Sequence, residues 1–390
     1  MATTTALRAS DVPRAYLDHA SSSPLRPACV EAMLPFLRDH HADPGRLHAE
    51  GRVTRVAIEQ ARERVANLFG ARPREVVFTA SGTEAVNSAV WGALARAGRE
   101  HQHVVTTAVE HSAVIESCTR LPTTEVTVVG VDRTGRFDAD AVLAAVRPDT
   151  ALVTVQLANH EVGTLQPAAA IATGARERGV VVHVDACAAA GHVDVDLGAL
   201  GADLCSVTAH KLGGPKGTAA LLVRRGLRFP PFVVGGAQER ARRGGIEDVP
   251  AIVGFGAAAA ELVDGGLERE AEAARALTDR LTAGTLERVP GVERFGDPTA
   301  CLPHLVCLGV GGVEAEPILL ALDQQGVAVH SGSSCSSEAL EPSPVLAAMG
   351  VDADHSLRAS VGWCSSDADV DGFLAVFPGI VERLRRLRTT

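Results

Sequence analysis

VVFTASGTEAVNSAVWGALARAG, residues 76–98, decides the fold class. Val76, Val77 and Phe78 read as a short apolar strand, and Ser81-Gly82-Thr83 as a tight polar turn. Apolar residues then return at helical spacing until Gly98, a residue suited to closing a helix in the left-handed conformation. The same alternation runs outward from this stretch. Apolar strands are predicted at 103–107, 125–130, 151–157, 180–185, 204–208 and 218–224, most of them separated by helix-length segments. That is the pattern of a doubly wound α/β fold with a mostly parallel sheet. Upstream, Val56, Ile58, Ala61, Val65 and Leu68 give the preceding helix an apolar stripe. Downstream, a charged helix over roughly 265–288 leads into a C-terminal α+β region. The expected division is a large domain, 15–262, and a small one, 263–390, with segment 1–30 a candidate to pack on the latter.

Length and composition bound the function. The 390 residues are 46% hydrophobic, enough for a sizeable core, with no apolar run of membrane-spanning length. The opening MATTTALRASDVPR lacks the apolar stretch of a secretory signal. A net charge of −10 argues against nucleic acid as the main partner. The eight cysteines lack the paired spacings of a zinc site, so no metal is expected, and they are too sparse for a secreted disulfide scaffold. A reduced, cytoplasmic protein is the expectation.

Of the 37 basic residues only two are lysines, Lys211 and Lys216, both in HKLGGPKG at 210–217. Where arginine serves as the general cation, a retained lysine points to chemistry that needs a removable proton and imine formation. Ligands of such sheets sit beyond the carboxyl ends of the strands. There the sequence places Ser81-Gly82-Thr83, Glu110-His111, Asn159, Asp185 and His210-Lys211. These suit pyridoxal 5′-phosphate (PLP): an imine lysine, a carboxylate for the ring nitrogen in Asp185, and a helix start for the phosphate at Gly82 and Thr83.

Seven stretches carry a resemblance over nearly the whole chain: FTASGTEAVN, TTAVEHSAV, ANHEVGTLQP, HVDA, SVTAHKLGGPKG, GGAQERARRGG and SGSSCSSEALEPS. The sequence resembles the cysteine desulfurases of the aminotransferase class V superfamily, the group that supplies iron–sulfur clusters and tRNA thiolation. The resemblance implies PLP fold type I, with a seven-stranded sheet in the large domain of a homodimer. It implies that Lys211 is the imine lysine, Asp185 the pyridinium partner and His111 the ring-stacking acid/base. Gly82, Thr83, Thr208 and His210 fall at phosphate-binding positions, Asn159 at a contact to the ring face or O3′, and Arg358 at the grip on the substrate carboxylate. Cys335, in the small polar loop SGSSCSS, is implied to receive the sulfur of L-cysteine as a persulfide for transfer to an acceptor protein. Cys29, Cys205 and Cys307 lie in apolar runs and read as core residues.

Four positions depart from the family pattern. Ala188 replaces a Gln that donates to O3′, and Arg243-Gly244-Gly245-Ile246 replaces a segment whose Thr reaches the partner's phosphate. Asn159-His160-Glu161 replaces Asn-Asn-Glu, and Asp43-Pro44 replaces Asn-Pro. Two alternatives stay open, the second of them motivated by these departures. One is a PLP lyase or aminotransferase acting on selenocysteine, cystine or cysteine sulfinate. The other is a PLP-binding scaffold with weak turnover.

Overall fold

The computed structural model describes residues 14–98, 102–120, 123–332 and 343–388. The described residues form thirteen strands, beginning with β1 (Ala15–Tyr16). The principal sheet contains β2 (Val76–Thr79), β3 (Gln102–Thr107), β4 (Thr124–Val129), β5 (Thr150–Gln156), β6 (Val181–Asp185), β7 (Leu204–Thr208) and β8 (Ala219–Val223). Their order is β2-β8-β7-β6-β5-β3-β4, and only β8 runs against its neighbours. All seven coincide with the strands predicted from apolar runs. Side chains of β5, β7 and β8 are buried along their whole length, which explains why these strands show no alternation in sequence.

The helix Gly82–Ala97 follows β2 directly. Ser81 Oγ accepts from the Glu84 N–H (3.1 Å), the Glu84 carboxylate accepts from the Ala80 N–H (3.0 Å), and Gly98 closes the helix at φ 60°. Both ends of the deciding stretch are thus set by local chemistry.

The helix Ala49–Leu68 corrects one detail of the sequence reading. Ile58, Ala61 and Val65 are buried, but Val56 is 54% exposed. The buried face runs through Gly51, Thr54, Ile58, Ala61, Arg62, Val65 and Ala66, about 100° per residue, and Val56 falls on the opposite side. The unexpected member is Arg62. Its guanidinium makes two 2.7 Å bonds to Glu239, donates to the Val76 carbonyl at 3.0 Å, and lies over the Phe78 ring. Glu239 also accepts from the Phe78 N–H and sits in a left-handed conformation at φ 47°. This pair ties the Gly235–Gly245 loop to β2. Arg62→Ala leaves a buried carboxylate uncompensated and should cost about 3–5 kcal/mol in urea unfolding. Loss below about 1 kcal/mol would reduce the pair to a surface contact.

The C-terminal region forms a second, antiparallel sheet in the order β12-β13-β10-β9. Its strands are β9 (Val292–Phe295), β10 (Leu305–Val310), β12 (His330–Ser331) and β13 (Ser356–Ser360). β1 pairs in parallel with β11 (Val327–Ala328), so the start of the described chain is stitched to this region. Leu17 joins the core that Val306, Leu308, Phe373 and Phe377 build there. The helices Val249–Leu262 and Gly266–Arg288, bent by 77°, connect the two sheets. Among the described residues no single helix is long and apolar enough to cross a membrane, and no group of three or more His, Cys, Asp or Glu residues is placed to hold a metal.

Candidate active site

Strand register builds the floor of the site. Pairing of β5, β6 and β7 sets Gln156 beside Asp185, and Asp185 beside Ser206. Above them opens a cleft of about 350 Å³. The helix start contributes Gly82 and Thr83 to its wall, the loops contribute His111, His160, His210 and Lys211, and the second sheet contributes Arg358. Residues far apart in sequence meet here because their strands end at the same edge.

Asp185 and Glu110 are two buried carboxyls in opposite states. Burial favours the neutral form of Asp185. The adjacent His183, the Cys187 N–H (3.0 Å) and the Ser206 hydroxyl (2.7 Å) outweigh it and hold the group below the ordinary carboxylate range. The same Ser206 and Thr154 bond the two ring nitrogens of His183, which burial lowers to about 4. Glu110 accepts from Thr107 and from the Gln156 N–H, yet burial pushes it up to about 8. At neutral pH the floor therefore carries one firm anion, at Asp185, suited to a protonated ring nitrogen.

The opposite end suits an anion. The first N–H groups of the helix Gly82–Ala97 face this side, with the positive end of the helix dipole. Thr208 Oγ1 and His210 Nδ1 are 2.8 Å apart beside them, and burial, reinforced by Lys211, lowers His210 to about 4. Gly82 is required by close approach: a Cβ there would stand 2.8 Å from Cys187 Sγ and 3.7 Å from Thr208 Cβ. Overpacking typically costs about 1–3 kcal/mol, so Gly82→Ala should weaken binding of a phosphorylated cofactor about tenfold or more. The added change Cys187→Ala removes the clashing sulfur and should recover much of that affinity. A fluorescence titration of both variants checks this, and equal affinity for Gly82→Ala and wild type would place the phosphate elsewhere.

Lys211 projects from the turn after β7, between these two ends, while Lys216 is exposed. Behind Lys211, His192 and His304 stack at 3.4 Å with 14° between planes, and burial lowers His192 to about 3. His111 caps the helix Ser112–Thr119, its Nδ1 accepting from the Ala113 N–H (3.0 Å), so a neutral ring carries its proton on Nε2. Arg358, 1% exposed on β13, donates to the His160 carbonyl (2.9 Å), Asp18 (3.0 Å) and Ser21 (2.6 Å). Its Nε is buried with no hydrogen-bond partner among the described residues.

Asn159 is placed differently from the expectation of a ring contact. It is fully buried outside the cleft wall. Its amide accepts from the Glu161 and Val162 N–H groups (2.9 Å each) and donates to the Val109 carbonyl (3.1 Å). The side chain shapes the turn that presents His160. Cys335 lies outside the described residues.

Three participants were not singled out from sequence: Gln156, Ser206 and Cys187. Gln156 closes an apolar strand as Asp185 does, and that signal was available. Ser206 and Cys187 carry none, because their relevance comes only from register and close approach. The donor set fits PLP: an anion for the ring nitrogen, an anion-binding helix start, and a lysine between them. Gln156 Nε2, buried at the edge of the cleft without a partner among the described residues, is a further donor for it.

Comparison with known proteins agrees with this geometry. Residues 15–373 match the family model described as aminotransferase class-V. A cysteine desulfurase of Trichormus azollae is 42% identical over 378 residues, covering 95% of this chain and 94% of its own. A solved NifS-like protein superposes with a TM-score of 0.89 at 29% identity, over 95% of this chain and 100% of that one. A structure described as SspA in complex with cysteine gives 0.78 at 30% identity, over 89% and 98%.

Proposed function

The chain belongs to the aminotransferase class-V family, among the cysteine desulfurases, and from that premise we propose how its cleft removes sulfur from L-cysteine. The enzyme converts L-cysteine to L-alanine and passes the sulfur on as a persulfide. The observation that carries the assignment of roles is the convergence of Lys211, Asp185 and Arg358 on one cleft.

PLP, when bound, withdraws electrons from the substrate α-carbon through its protonated ring. Asp185 holds the ring nitrogen, and Gly82, Thr83, Thr208 and His210 hold the phosphate. Lys211 would hold the cofactor covalently, and its amine would move the α-proton. His111 stacks on the ring. Arg358 receives the substrate carboxylate, using N–H groups that its bonds to Asp18 and Ser21 leave over. Cys335 accepts the sulfur and hands it to a protein thiol. Incubation with L-cysteine and a reductant, with alanine and sulfide quantified together, tests the whole reading. Pyruvate and ammonia in place of alanine would assign a lyase.

Arg358→Ala removes charge-assisted bonds to the carboxylate worth about 1.5–3 kcal/mol. The L-cysteine concentration for half-maximal rate should rise about tenfold to a hundredfold. An unchanged requirement would move the carboxylate to another group.

Two functional extensions complete the proposal. Ala188 lines the cleft, where the family's Gln would donate to O3′. PLP retention should therefore be weaker than in relatives carrying that Gln. Val30, Leu34 and Leu37 form an exposed stripe on the helix Pro27–Arg38, and Val53, Val56 and Ile246 are also exposed. A second copy of the chain covers these residues in a homodimer, which sedimentation measures directly.

A further inference from the structure

His160 lies in the wall of the cleft, 7% exposed, and the roles assigned above leave its ring without a task. Several elements surround it. From the turn after β3, His111 meets it edge to face, with ring centroids 5.2 Å apart and planes at 64°. Glu110, which burial pushes up to about 8, lies near enough to be influenced by a charge on His160. From its own turn, Glu161 Oε1 stands 3.5 Å from His160 Nε2. Glu161 is 1% exposed, and its other oxygen accepts from the Ser343 hydroxyl, at the residue that follows the segment carrying Cys335. From β13, Arg358 donates to the His160 carbonyl. The Asn159 amide locks the backbone on the following side. The imidazole thus packs against the proposed ring-stacking group with a buried carboxylate 3.5 Å from its Nε2, while its backbone carbonyl is tied to the proposed carboxylate grip.

The family pattern has asparagine at this position, a side chain with no proton to exchange near neutral pH, whereas imidazole exchanges one there. The reaction needs such a proton. When a thiolate attacks the substrate sulfur, a sulfur–sulfur bond forms and the carbon–sulfur bond breaks. The broken bond leaves its electron pair on the β-carbon, and that carbon must take up a proton to become the methyl group of L-alanine. The substrate's own thiol proton stays on the persulfide. We propose that His160, beside the Glu161 carboxylate, is the acid that protonates the β-carbon. An imidazolium gives one proton and becomes neutral, so the step balances without an oxidant or reductant. The assignment rests on the cysteine desulfurase reading.

The test uses the PLP-loaded full chain and the variants His160→Ala and His160→Asn, with thermal unfolding of the cofactor-free proteins as the check on folding. Both variants should form alanine about 10²-fold more slowly in a single turnover. Their affinity for added L-alanine should be unchanged, because binding of the product does not use the acid. Dissolved imidazole should restore the rate of His160→Ala in proportion to its protonated fraction. In mixed light and heavy water, the isotope preference of the new methyl group should change in His160→Ala and return with imidazole, a signature that a packing defect does not produce. Wild-type rates in both variants would overturn the proposal. A loss that imidazole does not repair, with an unchanged isotope preference, would overturn it as well. If the wild-type protein itself forms no alanine from L-cysteine, the desulfurase reading fails first, and this assignment falls with it.

Discussion

Lys211→Ala should lower alanine formation by about 10³-fold or more, since positioned proton transfer alone contributes about 10²–10⁴ and covalent carriage of the cofactor is lost as well. No neighbour can take over. The other lysine, Lys216, is exposed, sits between Pro215 and Gly217, the latter at φ 81°, and is not among the residues that line the cleft. Arginine is no substitute, so Lys211→Arg should be as inactive as the alanine variant, because a guanidinium keeps its proton at any usable pH. Borohydride treatment of the PLP-loaded wild type should place a stable mass gain on the peptide containing Lys211. The same label on Lys216 would refute the assignment and identify a different cleft.

Cys335→Ala should abolish persulfide formation and reduce alanine to background, while leaving the affinity for L-cysteine intact. The reason lies in the other thiols. Only a thiolate attacks sulfur well. Burial pushes Cys29 up to about 11 and Cys118 and Cys307 up to about 12, and raises Cys205 further. Cys187 is the one described thiol in the cleft wall, and burial beside Asp185 raises it well above the usual range. None of these offers an appreciable thiolate near neutral pH. Cys187→Ala is the matched control and should keep its persulfide. Mass spectrometry after a single addition of L-cysteine reads both variants. A persulfide on Cys335→Ala would show that another cysteine receives the sulfur.

The site was legible wherever one side chain declares its chemistry by position. Asp185 ends an apolar strand and Lys211 lies in the turn just after one, and the strand-end rule pointed to both. Asn159 satisfied the same rule but serves the backbone. Its amide can bond a ligand or the turn beneath it, and the Glu161 and Val162 N–H groups take it. Ser206 and Gln156 escaped notice because each matters through its place beside Asp185, and a register is a relation between strands. Arg62 and Glu239, 177 residues apart, form a buried pair for the same reason.

By itself the sequence determined the alternation of elements, the burial of continuous apolar strands, the ends of the helix Gly82–Ala97 and the singling out of Lys211, which lines the cleft. These are local properties, set by periodicity, capping and side-chain chemistry within a few residues. The tertiary structure alone decided which carboxyl is charged. Against the effect of burial it lowers Asp185 through His183, the Cys187 N–H and Ser206, and it raises Glu110 through burial. It also brought His160 against His111 and Glu161, and aimed Arg358 from the second sheet into a cleft of the first. Desolvation and Coulomb interactions depend on distances between atoms that the chain brings together only when it folds.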